Sequence, residues 1–145
     1  PVKNDAGEEF YFGTVICFES TISWLFRKFA SEGADFMVVI TNDGWYEDSA
    51  GPYQHADLSI FRAVETRQWI VRCANRGISC FIDPSGKIVQ KTRLNNAAII
   101  TDTVYASDYD TIYEKFGNWF VYCTILILAL SVTLRVIKKR KEKEK

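Results

Sequence analysis

Apolar residues fall along this chain in short blocks separated by polar turns, until one block near the end runs on far longer than the rest. Phe10, Phe12, Val15 and Ile16 make a β-prone run that reads as a buried strand delivering Cys17 to its end. Glu19 and Ser20 then open a segment in which Ile22, Leu25, Phe26 and Phe29 recur at helical spacing, so a helix comes directly after. The continuous apolar run Phe36-Met37-Val38-Val39-Ile40-Thr41 predicts a strand covered on both faces. Asn42-Asp43-Gly44 stops it, and a polar loop containing Gly and Pro continues to Pro52. Residues 54–67 predict a helix with Leu58, Phe61, Val64 and Glu65 close to one face. Trp69 to Ala74 and Ile78 to Ile82 read as short strands around Asn75-Arg76-Gly77. Asp83-Pro84-Ser85-Gly86 is a type I turn leading into Lys87–Gln90 as a hairpin, and Ala98 to Val104 reads as a further strand. Strands and helices mix throughout, which places the class at α/β or α+β.

The long block begins at Trp119 and carries no charge until Arg135. Arg135 sits near enough to the end to snorkel, so Val136 and Ile137 extend the stretch to the roughly 20 residues a bilayer needs. Tyr113, Trp119 and Tyr122 fit an aromatic belt on the entry side. A buried core helix has similar length, but Lys138, Lys139, Arg140, Lys141, Lys143 and Lys145 come at once after it, and this flank decides for a transmembrane helix over 117–137.

Charge then gives an orientation. The chain is neutral overall, yet residues 135–145 hold seven Lys/Arg against two Glu, a net of +5, leaving −5 before them. Basic flanks stay in the cytoplasm, so the tail 138–145 is expected there and residues 1–116 outside. Pro1 is no natural start and no signal peptide opens the chain. An outside domain with its one span at the end suggests further spans upstream, and the expectation is a C-terminal fragment.

The candidate chemistry is centred on Cys17. A cysteine between a strand and a helix start faces the positive end of the helix dipole, which favours the nucleophilic thiolate; the competing reading is an inert core thiol. Cys73 and Cys80 can pair across the Asn75–Gly77 turn or stay as buried free thiols, the reading favoured by their apolar runs, while Cys123 lies in the span. His55, the one histidine, reads as a helix-start capping or packing residue rather than a catalytic base. With a single His and no Cys-x-x-Cys, no metal site is expected. No Gly-rich phosphate loop or basic aromatic-laced patch points to nucleotides or nucleic acid.

Five blocks in order carry a resemblance: Ile16-Cys17-Phe18-Glu19; Thr41-Asn42-Asp43-Gly44-Trp45 with Gln54-His55; Phe61-Arg62-Ala63-Val64-Glu65; Ala74-Asn75-Arg76-Gly77-Ile78-Ser79; and Ile82-Asp83-Pro84-Ser85-Gly86. Together with the last helix they resemble the apolipoprotein N-acyltransferases, the membrane branch of the nitrilase superfamily, over nearly all of residues 10–137. The resemblance implies the C-terminal half of a nitrilase-like αββα sandwich followed by one transmembrane helix. It implies no cofactor and a bacterial inner-membrane enzyme, multi-pass as a full-length parent, with its catalytic domain periplasmic. Its partners would be the bilayer, a membrane phospholipid as acyl donor and diacylated apolipoproteins as acceptors.

Within that resemblance Cys17 is the nucleophile that holds the acyl group as a thioester, and the Phe18 backbone N–H helps hold the oxyanion. Glu19 either supports the site or is simply a carboxylate at a helix start. Trp45 lies where the family lines or gates the substrate entrance, or else packs; Asn42 ties down its turn or faces the site. Arg62 and Glu65, three apart on a helix, read as a pair rather than as catalytic groups. Phe18 departs from the family's tyrosine. The superfamily's glutamate base and lysine precede the cysteine motif on distant elements that Lys3, Glu8 and Glu9 do not match, so the fragment alone is expected to be inactive. Half a sandwich should also leave sheet edges and an apolar face open. Two rival readings remain, a membrane-tethered nitrilase-type amidase and a non-catalytic anchored domain with Cys17 in its core.

Overall fold

A computed structural model describes residues 1–107 and 109–143; Asp108, and Glu144 and Lys145 of the expected tail, lie outside the described residues. The chain divides into two units, Pro1–Lys115 and the segment from Phe116 onward. The first opens with a small antiparallel pair, β1 (Val2–Lys3) and β2 (Glu9–Phe10). Next comes a five-stranded sheet: β3 (Phe12–Ile16), β4 (Phe36–Asn42), β5 (Trp69–Asn75), β6 (Cys80–Ile82) and β7 (Ile88–Lys91), adjacent in chain order. β3, β4 and β5 run parallel, joined through helix α1 (Ser23–Ser31) and helix α2 (Gly51–Thr66). β6 and β7 return antiparallel.

Alternation along the strands decides which residues meet the helices. In β3 the burial alternates so that Val15 is inside while Phe12 and Ile16 are exposed. Val15, Met37, Val39, Ile70, Cys80 and Ile82 form the core face, and Phe26 of α1 and Ala63 of α2 pack onto it. Gly13 permits the close approach of α1: a Cβ there would sit 2.6 Å from the Met37 sulfur and 2.7 Å from the Phe29 ring. The helix α1 ends at Glu32, with Gly33 at φ +90° reversing the chain.

Among the described residues the opposite sheet face is open toward its carboxyl end, while at the other end Tyr105 packs on Trp69, ring centroids 6.0 Å apart. In register across β3, β4 and β5 stand Phe12, Phe36 and Trp69, then Thr14, Val38 and Val71, then Ile16, Ile40 and Cys73. Ile16 and Ile40 are 64% and 51% exposed, so the β4 run expected to be covered on both faces is covered on one. A row of apolar side chains in register is the surface that a second layer would bury.

Three other expectations are corrected. The inward face of α2 is Pro52, His55, Ala56, Ser59, Arg62, Ala63 and Thr66, while Phe61 and Val64 point outward; a buried polar network claims the positions where apolar residues were expected. Ala98 to Val104 forms no strand: it runs beside the edge strand β7, but the bond between them is from the Gln90 side chain to the Thr101 carbonyl, at 3.1 Å, and not a backbone ladder. Cys73 is exposed rather than buried. It lies beside Arg72, the residue in register with Cys80, so the two thiols point to opposite faces and both are free.

Toward the end of the first unit, the Arg27 guanidinium donates to the carbonyls of Tyr113, Glu114 and Lys115 in the short helix α3 (Ile112–Phe116). The second unit is dominated by helix α4, Trp119–Lys143. Its mean hydropathy reaches 2.2 and its apolar side chains are all exposed, which makes it long and apolar enough to cross a membrane. Lys138, Lys139, Arg140, Lys141 and Lys143 continue the same helix.

Burial pushes the Cys80 thiol up to about 11. Iodoacetamide at pH 8 should therefore modify Cys73 of the folded chain at least roughly tenfold faster than Cys80, read by peptide mass mapping. Equal rates would mean that the sheet does not separate the two thiols.

Candidate active site

Cys17 ends β3 in the left-handed region, at φ +52°. A side chain bearing Cβ costs about 1–2 kcal/mol there, so the surroundings must hold it. They hold the peptide after Cys17 directly and the N–H of the residue before it. Before it, the Ile16 N–H donates to Glu19 Oε2 at 2.7 Å. After it, the Cys17 carbonyl accepts from Ser20 Oγ at 2.8 Å and lies 3.3 Å from His55 Nε2. Cys17 opens a tight 3-10 turn, Cys17–Thr21, and α1 starts only at Ser23. The expected placement at an α-helix start is thus corrected: the turn must reverse the backbone within one residue, and the tighter helix does so. Cys17 itself is half-buried.

Behind this turn lies a buried polar chain. His55 Nε2 is 2.9 Å from Ser20 Oγ, and Nδ1 is 2.8 Å from Asp43 Oδ1. A carboxylate only accepts, so Nδ1 carries a proton; the one Ser20 hydroxyl proton goes to the Cys17 carbonyl, so Nε2, which faces that hydroxyl oxygen and that carbonyl, is a donor as well. Thr41 donates to the same carboxylate oxygen at 2.9 Å, and Arg72 donates to Oδ2 at 2.9 Å. Arg72 also reaches Ser59 Oγ at 3.4 Å. The members come from four separate places in the chain: Ser20 from the turn after β3, Asp43 from just beyond β4, His55 and Ser59 from α2, Arg72 from β5. All are buried. Gly77 is required beside them, since a Cβ there would meet Asp43 Oδ2 at 2.6 Å.

Burial opposes ionisation of Asp43, but the hydrogen bond from His55, the Arg72 guanidinium and the Thr41 hydroxyl outweigh it and hold the carboxyl below its ordinary value. His55, read from sequence as a helix-start residue, is the fifth residue of α2 and the middle of this chain. Asp43, Ser20 and Arg72 were not singled out from sequence. The signal available was Arg72 itself, a charge inside the apolar run Trp69–Ala74, which a strand buries only with a partner.

The other expected site residues gather at the same end of the parallel strands without all touching. Phe18 is 66% exposed, next to Cys17. Glu19 turns its carboxylate back to the Ile16 N–H. Asn42 ends β4, and its Oδ1 accepts from the Gly44 N–H at 3.1 Å, closing the turn. Trp45 is 83% exposed in the 3-10 turn Gly44–Tyr46 and no bond ties it to Cys17. Arg62 and Glu65 pair at 2.6 Å, and Arg62 also donates to the Thr21 carbonyl at 2.7 Å, bracing the far end of the cysteine turn. Among the described residues no cluster of His, Cys, Asp and Glu can hold a metal ion.

A family profile matches this arrangement from strand β1 through α3: the carbon-nitrogen hydrolases, over residues 3–114. The chain belongs to the carbon-nitrogen hydrolase family. Among its relatives in that family, the apolipoprotein N-acyltransferase of Geobacter metallireducens is 35% identical over 88% of this chain, and that of Rickettsia bellii 41% identical over 83%. The chain spans 24% and 23% of those proteins' lengths. Among solved structures, an amidase from Nesterenkonia shares the fold, with a TM-score of 0.58 at 20% identity, over 82% of this chain and 46% of the amidase. The mixed sheet with its helices is accordingly the nitrilase-like fold expected from sequence.

The Asp43 carboxyl sets a pH dependence. Its folded pKa is depressed, so its stabilising contribution is complete above the ordinary value of 3.8 and is lost as pH falls through the lower folded value. Asp43→Asn should cost roughly 3–5 kcal/mol at pH 7, because it leaves Arg72 buried and unpaired. The penalty should shrink below pH 4, measured by denaturant unfolding across pH. A penalty that does not change with pH would count against this assignment.

Proposed function

We propose that this chain is the cysteine-bearing part of a membrane acyltransferase that N-acylates diacylglyceryl-cysteine at the N-terminus of apolipoproteins. The observation that carries the reading is Cys17, half-exposed and held in a left-handed turn at the carboxyl end of the parallel strands, where ligands of open α/β sheets bind. The names of the relatives support the reaction class, and the apolar α4 supports a lipid substrate.

In the first half-reaction the Cys17 thiolate attacks an ester carbonyl of a phospholipid. A C–S bond forms, the C–O bond to glycerol breaks, and the lysophospholipid leaves as an alcohol after taking a proton. The Phe18 N–H, next to the nucleophile, faces the developing oxyanion. In the second half-reaction the lipoprotein amine attacks the thioester. A C–N bond forms, C–S breaks, the ammonium loses a proton to a base, and the thiol is restored. That base and the superfamily's lysine belong to elements outside these residues, so the chain alone is inactive. Glu19 fixes the turn from one side, and Trp45 and Asn42 border the acyl entrance. The basic residues after the apolar stretch of α4 support an orientation with its end in the cytoplasm and the sheet on the periplasmic side of a bacterial inner membrane.

Intact-mass spectrometry of the full-length protein incubated with phospholipid tests this. A fatty-acyl adduct should appear, be released by hydroxylamine, and be missing in Cys17→Ser. A folded, lipid-bound enzyme that never carries the adduct would refute acyl transfer and favour a tethered hydrolase.

A further inference from the structure

The buried chain Asp43–His55–Ser20 ends on the carbonyl of the residue proposed as nucleophile, which is an unusual destination for a core polar network. We propose that Asp43, His55 and Ser20 are positioning residues that aim the Cys17–Phe18 peptide, and through it both the thiol and the oxyanion donor. This rests on the acyl-transfer reading given above.

The geometry makes the link direct. The peptide is trans and planar, so its C=O and N–H point in opposite directions. Ser20 Oγ at 2.8 Å and His55 Nε2 at 3.3 Å hold the Cys17 carbonyl toward the protein interior. The Phe18 N–H on the same plane is thereby turned outward, to the side where a substrate carbonyl arrives. Rotation of this plane would move φ of Phe18 and ψ of Cys17 together, misaiming the donor and shifting the thiol. His55 cannot swing away, because Nδ1 is bound to Asp43, and Asp43 is itself fixed by Arg72 and Thr41. Helix α2 and the ends of β4 and β5 thus define one peptide in the turn after β3. None of these side chains touches the reacting atoms, so they act only through Cys17 and Phe18.

Two substitutions divide the imidazole. His55→Asn can keep the Asp43 contact at the Nδ1 position but loses reach to the Cys17 carbonyl. His55→Gln puts an amide near the Nε2 position, able to donate or accept there, and gives up Asp43. In the full-length enzyme with phospholipid, acyl-enzyme formation should slow roughly 10- to 100-fold in His55→Asn, with KM for lipid within about threefold of wild type. His55→Gln should recover at least part of the lost rate. Equal losses in the two variants, or wild-type rates in both, would overturn the proposal, since a packing role does not distinguish the ring nitrogens. Should His55→Asn fail to fold, Ser20→Ala takes its place under the same criterion of a lowered kcat at constant KM, with an unchanged kcat counting against. A second readout is independent of lipid: alkylation of Cys17 by iodoacetamide, compared between His55→Asn or Ser20→Ala and wild type. A changed Cys17 alkylation rate in a protein whose Cys80 stays protected supports the positioning role, and an unchanged rate opposes it. If wild type forms no acyl-enzyme, the acyl-transfer reading falls and this second readout alone decides on the positioning role.

Discussion

The left-handed backbone at Cys17 is the constraint around which the rest of the first unit is arranged. A residue with a Cβ resists that conformation, and no glycine stands there to lower the cost. The conformation persists because side chains of the turn itself and of α2 hold the backbone around it. Glu19 takes the preceding N–H and Ser20 the succeeding carbonyl, while His55 approaches that carbonyl from α2. The result is a thiol lifted off the end of a strand, with a backbone N–H beside it, at the open end of a parallel sheet. Strain of this kind is stored where the surrounding structure overdetermines it, and here the overdetermining groups can be named.

Behind the turn, the ion pair of Asp43 and Arg72 carries the electrostatic load. Both side chains are fully buried, and either one alone would be an uncompensated charge in the core. Together with the Thr41 hydroxyl and His55 they satisfy most of one another's hydrogen bonding. The same network joins the ends of β4 and β5 to α2. Ordering of the sheet's carboxyl end and ordering of the cysteine turn are consequently one event. The uncovered face of that sheet, with Ile16, Ile40 and Cys73 in register, lies on the other side of the strands from this network. A second layer over it would complete a sandwich without disturbing the polar chain.

Much of the fold was legible in the residues. Continuous apolar runs bounded by Asn-Asp-Gly and Asp-Pro-Ser-Gly marked β4 and the β6–β7 hairpin, because strand burial and turn chemistry are local properties. The uncharged stretch ending in lysines marked α4 for the same reason. Legibility failed where a long-range partner decides. Phe61 and Val64 look like an inward face of α2, yet Asp43 and Arg72 hold His55 and Ser59 inward and the Thr21 carbonyl holds Arg62. Ala98 to Val104 has strand composition, yet it meets the edge strand β7 through the Gln90 side chain rather than a backbone ladder. Cys17 stood out as a candidate nucleophile from its block of neighbours, whereas the groups around its peptide come from positions 20, 43, 55 and 72 and come together only in three dimensions. The charge of Arg72 within an apolar strand was the single local sign of them.

The stored strain can be measured without substrate. Cys17→Ala keeps a Cβ in the left-handed region and Cys17→Gly removes it, while both abolish the thiol. In thermal or denaturant unfolding of the full-length protein, the glycine variant should be the more stable by about 1 kcal/mol, against the usual order of these residues. If alanine is the more stable, Cys17 sits in ordinary backbone, and the strained, side-chain-held turn on which the site is built does not exist.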